Sequence, residues 1–186
     1  MKRRLFIAII PPEAAMGEIE KAVAAVKSRL KQPVEFEPRE NWHVTLVYLG
    51  EQDEEIIPNI RESMEASLGS FDYKPLATTD IVFAPPFHEP RMIWLTLSEN
   101  ASQYLAEFRA ELVNELKKHG VRWEDDVRAY RGHITLAKFE PKTVEELGTL
   151  KWVCANRCDA YAIELMASNA QDNGPKYTSI VRMAQE

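Results

Sequence analysis

Only two of the 186 residues are cysteine, Cys154 and Cys158. They stand in a C-x3-C spacing with no neighbouring histidine or second cysteine pair to complete a tetrahedral zinc site, so they read as two reduced, structural thiols. Positive charge is also short. With 23 Lys and Arg against 29 Asp and Glu, the formal net charge is −6, which argues against the broad basic surface that duplex nucleic acid needs. A small phosphate ester or a strand end remains open, because a cleft can be locally positive on an acidic protein. Long apolar runs are missing as well. The stretch Leu5 to Ile10 follows Met1-Lys2-Arg3-Arg4 and is cut off at Pro11-Pro12, too short for a signal-peptide core or a bilayer span. The expectation is a cytoplasmic protein with no membrane partner.

What is present in quantity, 45% hydrophobic and 28% charged residues, belongs to a soluble globular protein long enough to bury a good core. Its most informative feature is a near repeat. His43-Val44-Thr45-Leu46 and His133-Ile134-Thr135-Leu136 share one pattern, and in a β-strand each would set its His and Thr on one face while Val44, Leu46, Ile134 and Leu136 point to a core. If the two strands face each other, two imidazoles and two hydroxyls converge in one cleft, a set suited to acid–base chemistry on a phosphoryl group.

The segments around these strands repeat too. An apolar strand at Leu5 to Ile10 precedes a helix marked by Ile19, Val23, Val26 and Leu30, and then comes the His43 strand, closed by Gly50. A second helix carries Ile56, Ile57, Ile60, Met64 and Leu68, with Asp53 as its expected N-cap, and a strand follows near Leu76 to Phe83. Past a linker at about Ala84 to Pro90, the order begins again with the strand Met92 to Leu97. Its helix is opened by Asn100 with Gln103 three residues on, is striped by Leu105, Phe108, Leu112 and Leu116, and stops at Lys117-Lys118-His119-Gly120. The His133 strand follows, then a short helix capped by Thr143, then strands near Tyr161 to Ala167 and Tyr177 to Met183. The repeat makes the two His-x-Thr segments symmetry mates. The expected fold is α+β: one bilobal domain over 1–186, with repeat halves 1–84 and 91–186, each lobe a mixed, largely antiparallel sheet with helices on its outer face and a cleft between the sheets.

The longer segments Asn41-Trp42-His43-Val44-Thr45-Leu46-Val47-Tyr48-Leu49-Gly50-Glu51 and Tyr130-Arg131-Gly132-His133-Ile134-Thr135-Leu136-Ala137-Lys138 resemble the paired motifs of the two-histidine phosphoesterase superfamily. Within it they are most similar to the RNA 2′,3′-cyclic phosphodiesterases, also called 2′-5′ RNA ligases. The resemblance implies metal-independent hydrolysis of a ribose 2′,3′-cyclic phosphate to a 2′-phosphate, with no cofactor, on RNA ends or small nucleotides; a monomer is expected. It casts His43 as proton donor, His133 as proton acceptor, and Thr45 and Thr135 as binders of the phosphate oxygens. An imidazole titrates near neutrality, so the chemistry suits the pair and a bell-shaped pH profile about neutrality is expected, insensitive to chelators.

Two basic residues compete for the phosphate. Lys138 holds a position where many members carry arginine, and strict alternation turns it away from His133 unless the strand bulges. Arg131 falls on the histidine face by alternation. Gly132 stands where members often have proline. Trp42 and Trp94 read as core residues, His88 as a loop residue, and Phe36 or Tyr177 as either core or base-stacking aromatics. Competing functions are 2′-5′ ligation in the same site, a non-catalytic nucleotide-binding module, which retention of both histidines and threonines opposes, and a metal-dependent hydrolase, which the motifs do not equip with a carboxylate.

Overall fold

The computed structural model describes residues 1–30, 34–69, 71–86, 89–124, 128–140, 150–151, 161–170 and 174–184. Cys154, Cys158, His88 and the expected Thr143 helix lie outside them.

The first strand, β1 (Lys2–Ile10), is buried from Leu5 to Ile9, so it is covered on both faces, as expected for a central strand. Leu5, Ile7 and Ile9 enter the main core. Phe6 and Ala8 point the other way, into a small cluster with Met166, Ile10 and Tyr177. Pro12 breaks the chain into α1 (Glu13–Arg29), which buries Ile19, Ala22, Val23 and Val26 at helical spacing. A short strand β2 (Glu35–Phe36) and a 3-10 turn, Arg39–Asn41, lead into β3 (Val44–Asp53).

The helix α2 (Ile57–Leu68) is not capped by Asp53 as the sequence suggests. Asp53 ends β3, a 3-10 turn at Glu54–Ile56 intervenes, and the Asp53 side chain makes no capping bond. Pro58 explains the later start, because its missing N–H is tolerated in the first helical turn. β4 (Thr78–Ala84) and β5 (Met92–Leu97) pair antiparallel. The next helix, α3 (Glu99–Lys118), is capped by Ser98, whose hydroxyl accepts from the Ala101 N–H at 3.2 Å, and not by Asn100, which falls in its first turn. Its stripe of Leu105, Phe108, Leu112 and Leu116 is buried as expected, and the chain leaves it through Gly120 at φ +76°. The remaining strands are β6 (His133–Lys138), β7 (Leu150–Lys151), β8 (Ala162–Asn169) and β9 (Lys176–Ala184).

Two sheets result, in the orders β3-β1-β8-β9 and β2-β6-β5-β4-β7, and every strand pairing among the described residues is antiparallel. The sheets do not follow the halves of the sequence. In each half the first strand and the His strand share a sheet while other strands cross over: β2 and β4 join the second sheet, and β8 and β9 the first. This exchange ties the lobes together, and among the described residues one main cluster draws buried side chains from both sheets and from α1, α2 and α3.

Candidate active site

Both His strands break their alternation at the same place. Thr45 lies opposite Ala8 and Val47 opposite Ile7, so Leu46 is the extra residue of a β-bulge. In the second sheet Thr135 lies opposite Trp94 and Ala137 opposite Ile93, so Leu136 is the extra residue there. Leu46 and Val47 are consequently both buried, as are Leu136 and Ala137. The bulge returns the fifth residue after each histidine to the histidine's own face. Tyr48 is that residue in the first strand and Lys138 in the second, so Lys138 shares the cleft with His133 despite the count along the sequence.

A bulge frees backbone carbonyls from the ladder, and here groups from the opposite half of the chain satisfy them. The Leu46 carbonyl accepts from Arg109 Nε of α3 at 3.1 Å, and the Thr45 carbonyl accepts from the Tyr130 hydroxyl at 3.1 Å. Reciprocally, the Leu136 carbonyl accepts from the Glu37 N–H at 2.9 Å. Burial raises the Tyr130 phenol pKa, opposed by the Arg109 charge, which keeps it a neutral donor.

The two imidazoles are held alike. His43 Nδ1 donates to the Asn41 carbonyl at 2.6 Å and His133 Nδ1 to the Arg131 carbonyl at 2.7 Å. Anchoring Nδ1 in both rings leaves Nε2 for the cleft. His43 Nε2 lies 3.1 Å from Thr45 Oγ1. The rings differ in what packs on them. His43 rests on Phe6, centroids 5.0 Å apart, with the Tyr177 ring edge-on at 5.2 Å. His133 stacks on Trp94 at 3.6 Å and 18°.

Their electrostatics differ too. Burial pushes His43 below the ordinary histidine value, opposed by the Asn41 carbonyl and the Glu37 carboxylate and reinforced by the Lys138 charge. Burial also lowers His133, to about 4, with the Arg131 carbonyl opposing and the His43 charge reinforcing. Of the two, His43 is the one whose charge a neighbouring carboxylate supports. That carboxylate, Glu37, pairs with Lys138 Nζ, accepts from Asn41 Nδ2 at 3.3 Å, and keeps its side chain only 10% exposed. Desolvation opposes the Lys138 charge, but this pairing outweighs it and raises the ammonium pKa.

The other sequence candidates fall into place around this pair. Thr45 and Thr135 are half-buried on the cleft faces. Arg131 is exposed and borders the cavity beside His133. Gly132 has a packing reason: a Cβ there would lie 2.7 Å from Leu97 Cδ1, and its N–H donates to Ser102 Oγ at 3.3 Å, a bond that proline could not make. Phe36 packs on the core with Lys27 Nζ 4.8 Å from its ring centre. Trp42 is buried as expected, but Trp94 is not a core residue. In β5 the buried positions are Ile93, Leu95 and Leu97, and Met92, Trp94 and Thr96 take the cleft face, an alternation already legible in the sequence. Tyr48 is not visible to strict alternation, because the bulge reverses its face. A cavity of about 610 Å³ opens beside His133, bordered by Thr45, Tyr48, Trp94, Arg91 and Arg131 among others.

Two facing antiparallel sheets, each contributing one His-x-Thr strand to the cleft between them, define a two-histidine phosphoesterase. The model of the 2′-5′ RNA ligase superfamily matches residues 11–168, and the chain belongs to that superfamily. An RNA 2′,3′-cyclic phosphodiesterase of Methanocaldococcus jannaschii is 30% identical over 95% of this chain and 98% of its own length. One of Thermotoga maritima is 30% identical over 77% of this chain and 75% of its own. Among solved structures, TT0787 of Thermus thermophilus superposes with a TM-score of 0.74 at 22% identity, covering 97% of each chain. E. coli LigT complexed with 3′-AMP gives a TM-score of 0.67 at 21% identity, covering 99% of this chain and 98% of that one.

Proposed function

We propose that this protein hydrolyses the 2′,3′-cyclic phosphate of an RNA end or small nucleotide to a 2′-phosphate, using the two imidazoles and no metal ion. The observation that carries this reading is the paired anchoring of Nδ1, which offers two Nε2 atoms to one cleft. Neutral His133 Nε2 takes a proton from a water whose oxygen attacks phosphorus. As the P–O3′ bond breaks in line, protonated His43 Nε2 gives its proton to the departing O3′. The products are a 2′-phosphate and a free 3′-hydroxyl.

The assignment of roles follows the charges. His133, lowered to about 4, is neutral at working pH and suits the base, while His43, supported by Glu37, holds its proton better and suits the acid. Thr45 and Thr135 donate hydroxyl hydrogen bonds to the non-bridging oxygens, and Lys138 and Arg131 supply positive charge around them. Among the described residues no cluster of three or more His, Cys, Asp or Glu surrounds either histidine, so the donor set favours proton transfer over metal ligation. Ligation to a 2′-5′ bond is the reverse passage through the same site, and water drives it toward hydrolysis.

The test is to incubate the EDTA-treated protein with an RNA oligomer ending in a 2′,3′-cyclic phosphate and identify the product. A 2′-phosphate is expected. A 3′-phosphate, or no turnover until a metal is restored, contradicts the reading.

A further inference from the structure

The cavity beside His133 is larger than the reacting group requires. A five-membered cyclic phosphate occupies only a fraction of about 610 Å³, a volume in the range that holds a whole ligand. Its wall is also charged against the grain of the molecule. The chain carries a net charge of −6, yet Arg91, Arg109, Arg128 and Arg131 border this cavity with Glu124 as the one carboxylate among its described lining residues. Arg109 is committed through Nε to the Leu46 carbonyl and serves the floor. Arg91 and Arg131 are exposed at the margins. Tyr48, turned to this face by the bulge, is 53% exposed, the one aromatic ring so exposed among the described residues.

Guanidinium groups pair with phosphate oxygens through parallel N–H donors, and a low-dielectric concavity concentrates their field. An exposed aromatic ring beside them offers a face on which any base can stack. Resting on the phosphodiesterase reading above, we propose that this flank is a subsite for the 5′-side phosphodiester of the substrate. Arg91 contacts that phosphate and Tyr48 stacks on the base beyond it. The group lies one ribose away from the reacting phosphorus, and a nucleoside 2′,3′-cyclic phosphate lacks it. The protein thereby selects the end of an RNA chain over the free cyclic mononucleoside.

The experiment compares adenosine 2′,3′-cyclic phosphate with its 5′-phosphorylated form, and the 2′-phosphate products of each as equilibrium ligands. A charge-assisted contact predicts that the 5′-phosphate improves kcat/KM and affinity by about tenfold or more. Arg91→Gln removes most of that gain, and Arg91→Glu abolishes it. Arg91 is exposed, and its backbone N–H and carbonyl are bonded to Ala84 and Phe139 whatever the side chain, so the variants are expected to fold; circular dichroism checks this. A wild-type ratio near one, or a ratio that Arg91→Glu leaves unaltered, overturns the subsite. The binding arm decides the matter by itself: absence of turnover on both substrates counts against the phosphodiesterase reading, and the 5′-phosphate's effect on affinity still supports or refutes the subsite.

Discussion

The first and second His-x-Thr strands have the same backbone and different surroundings. Each has its histidine anchored through Nδ1 to the carbonyl two residues back, its bulge at the leucine, and its bulge carbonyl capped from the other half of the chain. Around His43, however, stand Phe6, Tyr177 and the Glu37–Lys138 pair, and around His133 the flat face of Trp94. A duplicated frame with unlike shells gives one residue type two different pKa environments, which is what the proposed acid–base division requires. The fifth position after each histidine differs in the same way: Lys138 is paired with Glu37, and Tyr48 presents a ring at the cavity.

Removing either imidazole breaks the comparison outright. His43→Ala and His133→Ala are each expected to cost about 10²–10⁴-fold in turnover, the usual worth of a general acid or base. Steady-state rates with circular dichroism to confirm folding check this, and a folded variant at near wild-type rate refutes the mechanism.

Next in size are the changes that alter the shell alone. The proposed mechanism requires His133 neutral and His43 protonated, so kcat/KM should rise through His133 near pH 4 and fall through His43 below the ordinary histidine value. The optimum therefore sits on the acid side of neutrality, where the sequence alone centres the bell on neutrality. Glu37→Gln removes a group that raises His43, so the falling limb moves to lower pH. Lys138→Met removes a charge that lowers it, so the limb moves up. Profiles of kcat/KM from about pH 4 to 9 separate them, with the ordinary value of about 6.5 as the reference, and movement of both limbs in one direction contradicts the account.

Loss of a hydroxyl is a smaller change. In the proposed mechanism Thr45→Val and Thr135→Val each remove one hydrogen bond to phosphate, worth about 0.5–1.5 kcal/mol and hence roughly tenfold or less in rate. Thr45→Val should be the more costly, since Thr45 also touches His43 Nε2. The smallest effect belongs to the interlock. Tyr130→Phe leaves the Thr45 carbonyl without its partner and should lower stability by about 1 kcal/mol in urea titration, with the His43 side of the cleft disturbed before the His133 side.

Much of this is legible in the sequence because it rests on local pattern. The two His-x-Thr strands, the stripes of α1 and α3 and the Gly120 exit are written in residues that sit next to each other or one turn apart. The features that are not legible depend on register and partners. Nothing in Thr45-Leu46-Val47 or Thr135-Leu136-Ala137 announces a bulge, because two apolar residues in a row occur as easily in a simple strand covered on both faces. The exchange of β4 and β8 between sheets is a choice among distant strands that their own residues do not encode. Ser98 displaces Asn100 as the cap because both are capping residues and helix entry is decided by where the chain leaves β5. Trp94 stands apart from these: its strand alternates cleanly and pairs with the strand that bears the histidine, so its place on the cleft face is readable from the pattern alone.

The division of labour between the histidines is tested most directly by titrating both imidazoles by NMR in the free protein, with His43→Ala and His133→Ala spectra to assign the signals. The account predicts that both titrate below the ordinary range, that His133 does so lower than His43, at about 4, and that Glu37→Gln lowers His43 further. A His133 that titrates above His43 would reverse acid and base and contradict the two-histidine mechanism in this form.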